Sequence, residues 1–416
     1  MAEMTSRERV VNAIHHRPVD RVPVDLGGTR QSGISIFAYL PLRRALGVDT
    51  DQPACVFDLY QMLAQIEPGV VERFGGDCVL LNRPAVAFGI TNEAWKAFVF
   101  PGLDEPALVP GGFEPRHRAD GSLVLERDGQ VIAMMPAGGY YFDRFEKYPG
   151  ALHPELDSYR APRLGEAELA HYDRRSRELF HETDKAVIAA LGPPYELFNG
   201  IGQGGFEDWM VTFASEPAYV RWLYDELVDA WIENLERFHR AVQDRVQIIQ
   251  IADDFGTQHG PFLSVTMFRD LVMPAYKRGL DWIHRHTDWK VLLHSDGAIE
   301  PLLESIIEMG VDLLNPVQTT AEGMDPRTLR QRYGGRLAFW GGSCDCQGTL
   351  THGTPQQVRD EVRANLDVFE PLAGGYVFAS VHNIQANVPP RNVVALFDAA
   401  GAYRPGHGRL SVPGGR

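Results

Sequence analysis

Eight short apolar runs recur along this chain, and most are followed by a polar or glycine-rich loop and then a long amphipathic stretch. The runs are VPVDL (22–26), CVLLN (78–82), AVIAAL (186–191), QIIQIA (247–252), KVLLH (290–294), DLLNPV (312–317), LAFWGG (337–342) and YVFAS (376–380). They are continuous rather than alternating, which suits parallel strands covered on both faces. The stretches between them, such as 217–242 and 267–286, carry apolar residues at helical spacing. Eight strands alternating with helices predict a (β/α)8 TIM barrel, although a doubly wound sheet produces the same local signals. With 44% hydrophobic and 23% charged residues in 416, the chain has ample material for one large core. We read 1–416 as a single barrel domain. A first helix is expected over 5–16, with Thr5 or Ser6 as cap and Arg17-Pro18 as stop.

One region breaks the pattern. Residues 85–160 are rich in Gly, Pro and aromatics and contain SLVLERDGQVIAMM, where Asp128-Gly129 divides two β-like runs. Asp-Gly in that setting predicts a hairpin. The region is read as a small β insertion after the second barrel strand. Residues 404–416, RPGHGRLSVPGGR, are read as a loose tail.

Composition excludes some functions. A net charge of −15 argues against binding a phosphate backbone, so no nucleic-acid partner is expected. No run approaches a membrane span, and the charged start MAEMTSRERVVNAIHHRPVDR lacks the apolar core of a signal peptide. The four cysteines are too few for a disulfide framework. A soluble cytoplasmic protein acting on a small molecule is the expectation.

A TIM barrel builds its site at the C-terminal ends of its strands, so the strand tips predict the site. The fourth tip is Asp253-Asp254, the fifth His294-Ser295-Asp296, and the sixth carries Asn315 and Gln318. The seventh is Cys344-Asp345-Cys346, and the eighth is His382-Asn383 followed by Gln385. Arg30 follows the first strand. His294 and Asp296, two positions apart, point to one side of their strand, and Ser295 faces the other. Blander readings exist for several of these. An aspartate of the 253–254 pair could cap the next helix. Cys344-x-Cys346 is not the spacing of zinc ribbons, and a buried inert thiol is the default. GIGQGGF (200–206) satisfies a Gly-x-Gly-x-x-Gly pattern and follows an apolar strand, but only after the intervening GPPYELFN. No acidic residue closes a second strand about twenty residues on, so it reads as a false match to a dinucleotide site.

Four segments together resemble the uroporphyrinogen decarboxylase superfamily, whose barrel also serves cobalamin- and coenzyme-M-linked methyltransferases. They are RERVVNAIHHRPVDRVPVDLGG, LHSDGAIEPLLESIIEMGVDLLNPVQ, LAFWGG and GYVFASVHNIQANVPPRNVVALF. For the decarboxylases, the resemblance implies a loop with two arginines that grips carboxylates. Here that loop reads Arg30-Gln31-Ser32-Gly33-Ile34, so Ile34 replaces the second. The family's catalytic aspartate falls near Pro84 and its tyrosine near Gly200. Only the late histidine, at His382, is kept. For the methyltransferases, the resemblance implies zinc held by His-x-Cys at the fifth strand plus a later cysteine. This chain has His294-x-Asp296 and no cysteine at the eighth tip. Zinc accepts imidazole and carboxylate, so His294, Asp296 and His382 are the expected ligands of a divalent ion. Exchanging sulfur for oxygen makes the site harder and less thiophilic.

The resulting expectation is an enzyme of methyl transfer or demethylation, with a divalent metal and a corrinoid protein as methyl partner. His382, Asp254 and Arg30 are the expected catalytic residues. Asp253, Asn315, Gln318, Asn383 and Gln385 are the expected substrate contacts. The alternatives are a cofactor-free decarboxylase, in which Arg30 holds a carboxylate and His382 manages the proton, and a barrel that binds without turnover.

Overall fold

The computed structural model describes residues 3–48, 52–144, 159–201 and 206–405. Seven parallel strands form one sheet. Their order runs from Tyr376–Val377 through Ala338–Trp340, Leu313–Asn315, Lys290–His294, Ile248–Ala252 and Ala186–Ala190 to Cys78–Leu81. This is chain order, as a barrel of right-handed crossovers requires.

The expected first strand, 22–26, is not a regular strand. Pro23 has no N–H to give to a ladder. The segment nevertheless joins the two edges of the sheet. Val24 bridges Phe378, and Asp25 N–H donates to the Phe378 carbonyl at one edge. At the other edge, Asp77 N–H donates to the Val24 carbonyl at 2.7 Å. The curled sheet is thereby closed in the manner of a (β/α)8 barrel. The expected sixth, seventh and eighth strands are shorter than their apolar runs, because their last residues turn out of the ladder to form the mouth. The sixth stops at Asn315, since Pro316 cannot donate.

Strand residues alternate between two cores. Ile188, Ile248, Leu292, Leu313 and Ala338 fill the lumen together with Val10, Ala13 and Ile14. Val187, Ile249, Ile251, Val291, Leu293, Leu314 and Phe339 face the helices. The three lumen residues at 10, 13 and 14 come from the first helix, Ser6–Ile14, which plugs the N-terminal end of the barrel. It begins where expected: Thr5 accepts from Glu8 N–H, and Glu8 reaches back to Thr5, a capping box.

The helices Pro217–Val242 and Met273–His286 cover one side. They approach so closely that a methyl group at Gly279 would meet the Trp231 ring at 2.0 Å. Among the described residues, no helix is long and apolar enough to cross a membrane.

Between Leu81 and the helix Glu166–Glu182 the chain is β-rich. Lys96–Phe98 pairs with Ala107–Val109, and a four-stranded antiparallel sheet runs from Arg116–His117 to Asp143–Arg144. The hairpin expected at Asp128-Gly129 is present: Arg127 pairs with Gln130, and both turn residues have positive φ, 51° and 77°. Phe88, Phe100, Phe113 and Phe142 form its aromatic core. The rest of the region read as an insertion, residues 202–205 of GIGQGGF, and nearly all of the tail lie outside the described residues.

Candidate active site at the barrel mouth

Strand register places the first pair of site residues. His294 ends its strand with the parity of Leu292, so it faces the lumen, and its neighbours in register are Ala252 and Asn315. The His294 Nδ1 lies 2.7 Å from Asn315 Oδ1, and the Asn315 amide donates to the Trp340 carbonyl at 3.1 Å. That second bond fixes the amide's orientation, so Asn315 Oδ1 accepts and His294 Nδ1 carries the proton. The Nε2 lone pair is left facing the mouth. His382 repeats the arrangement. Its Nδ1 is 3.1 Å from Asn383 Oδ1, while the Asn383 amide donates to Gln61 Oε1 at 2.8 Å.

Both Nε2 atoms converge on one carboxylate. Asp296 Oδ2 is 3.7 Å from His294 Nε2 and 3.8 Å from His382 Nε2. Ligand atoms of the three residues lie within 4.8 Å of one another. Tetrahedral zinc, with bonds near 2.1 Å, separates its donors by roughly 3.4 Å, so small side-chain rotations would bring these three onto one ion. The donor set therefore fits the expected metal. Loss of hydration on burial lowers the His382 pKa below its ordinary value and so favours its free base, while Asp296 pulls the other way.

The loop carrying Asp296 is pinned by its backbone. Asp296 N–H donates to Asp254 Oδ1 at 2.9 Å, Gly297 N–H to Gln318 Oε1 at 2.9 Å, and Ser295 Oγ accepts from Phe255 N–H. Gly297 has φ +92°, and a methyl group there would lie 2.4 Å from the Gly256 carbonyl. Gly297→Ala should therefore lose at least about 2 kcal/mol of stability in urea unfolding, from strain plus backbone displacement. A variant as stable as the parent would show that this backbone approach does not constrain the loop.

Three expectations need correction. Asp253 does not face the mouth: its parity is that of Ile249 and Ile251, so it turns away from the lumen. It is 1% exposed and accepts from Phe198 N–H, Asn199 N–H and the Tyr276 hydroxyl, holding the loop after the third strand. Burial holds its carboxyl above the usual carboxylate range. Asn315 is fully buried and its side-chain oxygen is engaged by His294. Arg30 pairs with buried Asp58 at 2.6 Å and does not line the cavity described below. Asp58 in turn accepts from Gln61 N–H, and Gln61 holds Asn383, so Arg30 stands behind His382 in a chain of contacts.

Asp254, by contrast, sits at the mouth, 4.0 Å from His294 Nε2. Gln318, Asn383 and Gln385 line a cavity of about 710 Å³ together with Asp296 and His382. Sequence reasoning missed Gln61 and the cavity's Gln258, Gln347 and Asn387. Gln347 adjoins the seventh tip and could have been found there; Gln61 carried no signal. Cys346 also lines the cavity, where burial pushes its thiol up to about 11. Cys344 is buried.

Residues 169–403 match the sequence model of the family described as uroporphyrinogen decarboxylase (URO-D). The uroporphyrinogen decarboxylase of Alkalilimnicola ehrlichii is 24% identical over 407 residues, covering 96% of this chain and 94% of the relative. That of Xanthomonas euvesicatoria pv. vesicatoria is 24% identical over 417 residues, covering 95% and 98%. Among solved structures, a methyltransferase from Methanosarcina mazei superposes with a TM-score of 0.58 at 16% identity, covering 96% of this chain and 99% of its own. At that identity the likeness speaks to fold alone.

Proposed function

The chain belongs to the uroporphyrinogen decarboxylase family, and on that premise we propose that it transfers or removes a methyl group on a small molecule, using a divalent metal held at the barrel mouth. The observation that carries the reading is the convergence of two imidazole Nε2 atoms on Asp296 Oδ2, at 3.7 and 3.8 Å. Both imidazoles are held by amide oxygens in the tautomer a metal requires.

In this reading His294, Asp296 and His382 hold the ion. When bound, it polarises the heteroatom that leaves or accepts the methyl group. Asp254, beside His294 and partly exposed, manages the proton of that heteroatom. Gln318, Asn383 and Gln385 orient the substrate, and a corrinoid protein is the methyl partner. Arg30 supports this wall through Asp58 and Gln61.

The test is the metal content of untagged protein purified without chelator, followed by zinc titration. One ion per chain is expected. If no condition gives stoichiometric metal, the reading falls, and His294 with Asp296 becomes a hydrogen-bonded pair for substrate or proton transfer.

The names of the curated relatives favour a second reading, metal-independent decarboxylation of a carboxylated small molecule. Metal content separates the two. Turnover of any substrate separates both from a barrel that only binds.

A further inference from the structure

The cavity beside Asp296 is unusual in what lines it. Six amide side chains do so: Gln258, Gln318, Gln347, Asn383, Gln385 and Asn387. Two threonines add hydroxyls, and four aliphatic side chains form the wall between them. Among the described lining residues there is no lysine, arginine, phenylalanine, tyrosine or tryptophan, and Asp296 is the one carboxylate. Gln258, Gln347 and Asn387 stand exposed at the rim, and their amides have no hydrogen-bond partner among the described residues.

Each class of ligand needs particular partners. A polycarboxylate needs guanidinium or ammonium groups, and here it would meet the Asp296 carboxylate on a chain of net charge −15. A large planar ring gains from aromatic faces to stack on, and a quaternary ammonium from aromatic faces to enclose it. Among the cavity's described lining residues there is no phenylalanine, tyrosine or tryptophan for either. An amide offers two donors and an acceptor, and a hydroxyl both donates and accepts, so a ring of amides matches a ring of hydroxyls. The volume suits a molecule of monosaccharide or disaccharide size.

We infer that this cavity takes an uncharged, polyhydroxylated small molecule, gripped by the amide rim with its reacting atom presented at Asp296. The inference deepens the proposed function and rests on it only for where the reacting atom goes.

Three probes on one scaffold test it: methyl β-D-glucopyranoside, its 6-carboxylate (the methyl glucuronide) and its 2-amino analogue. Binding of each to the full chain is measured by calorimetry and saturation-transfer NMR, on zinc-treated and on chelator-treated protein. The neutral probe should bind, and on chelator-treated protein the carboxylate should bind at least about tenfold more weakly from repulsion by Asp296. The double variant Gln385→Leu/Asn387→Leu, at two exposed positions, should weaken the neutral probe about tenfold through loss of two hydrogen-bonding side chains. The inference is overturned if, on chelator-treated protein, the carboxylate or the amine binds as tightly as the neutral probe. It is equally overturned if no probe binds, or if the double variant retains parental affinity. Neutral binding by a protein that holds no metal keeps this inference and removes the metal reading. Stoichiometric metal without neutral binding does the reverse.

Discussion

Replacing His294 with alanine should cost the protein its divalent metal. The side chain is 6% exposed, and its Nδ1 is tied through Asn315 to the Trp340 carbonyl. No other imidazole among the described residues shares a strand tip with Asp296. The loss should exceed the roughly 10–100-fold that follows from removing a ligand's supporting hydrogen bond. Asn315→Leu is the matched control: it keeps the imidazole, frees its tautomer and leaves a buried N–H unpaired, so it should fall within that 10–100-fold range. His382→Ala should weaken binding comparably to His294→Ala, because its Nε2 faces the same carboxylate oxygen. Competition against a chromophoric chelator reads all three variants, with circular dichroism confirming that each has folded. Parental affinity in His294→Ala would remove this histidine from the metal site. Parental affinity in His382→Ala would leave His294 and Asp296 as the site and free His382 for proton transfer.

Incubation with uroporphyrinogen should yield no coproporphyrinogen above a protein-free blank. This is the other large effect expected, and it opposes the names of the curated relatives. Ile34 stands where the resembling decarboxylases carry a second arginine. It is fully buried and bridges Ile384, so it presents nothing to a carboxylate. The remaining arginine, Arg30, is engaged by Asp58. Pro84 and Gly200 carry no ionisable or hydroxyl group where the aspartate and tyrosine fall. Among its described lining residues the amide-lined cavity provides no lysine or arginine for a polycarboxylate. Turnover on the order of 1 s⁻¹ or faster, ordinary for enzymes, would defeat the prediction and bring the decarboxylase reading forward.

The local grammar of the chain was enough to read the barrel and most of its mouth. Continuous apolar runs separated by amphipathic stretches specify parallel strands under helices, and seven of the eight runs contain sheet strands. The remaining run, 22–26, failed as a regular strand for a reason visible in the sequence, the missing N–H of Pro23. Parity along each strand is also local. His294 shares the face of Leu292, which put it in the lumen, and Asp254 shares the face of Ile248. The same rule, applied strictly, would have placed Asp253 with Ile249 and Ile251 and spared it a substrate role.

What the sequence determined by itself was therefore which residues lie at strand tips and which way they point, because two-residue alternation depends only on a residue's neighbours. The tertiary structure alone decided which tips meet and what each does there. Closure of the sheet through Val24 brings His382 round to Asp296. Register between two strands turns Asn315 from a ligand contact into the support of His294. Gln61 reaches Asn383 from a loop with no pattern of its own. Such contacts join groups far apart in the chain through one hydrogen bond each. Periodicity carries no record of them, since the partner's place is set by the path of the whole backbone.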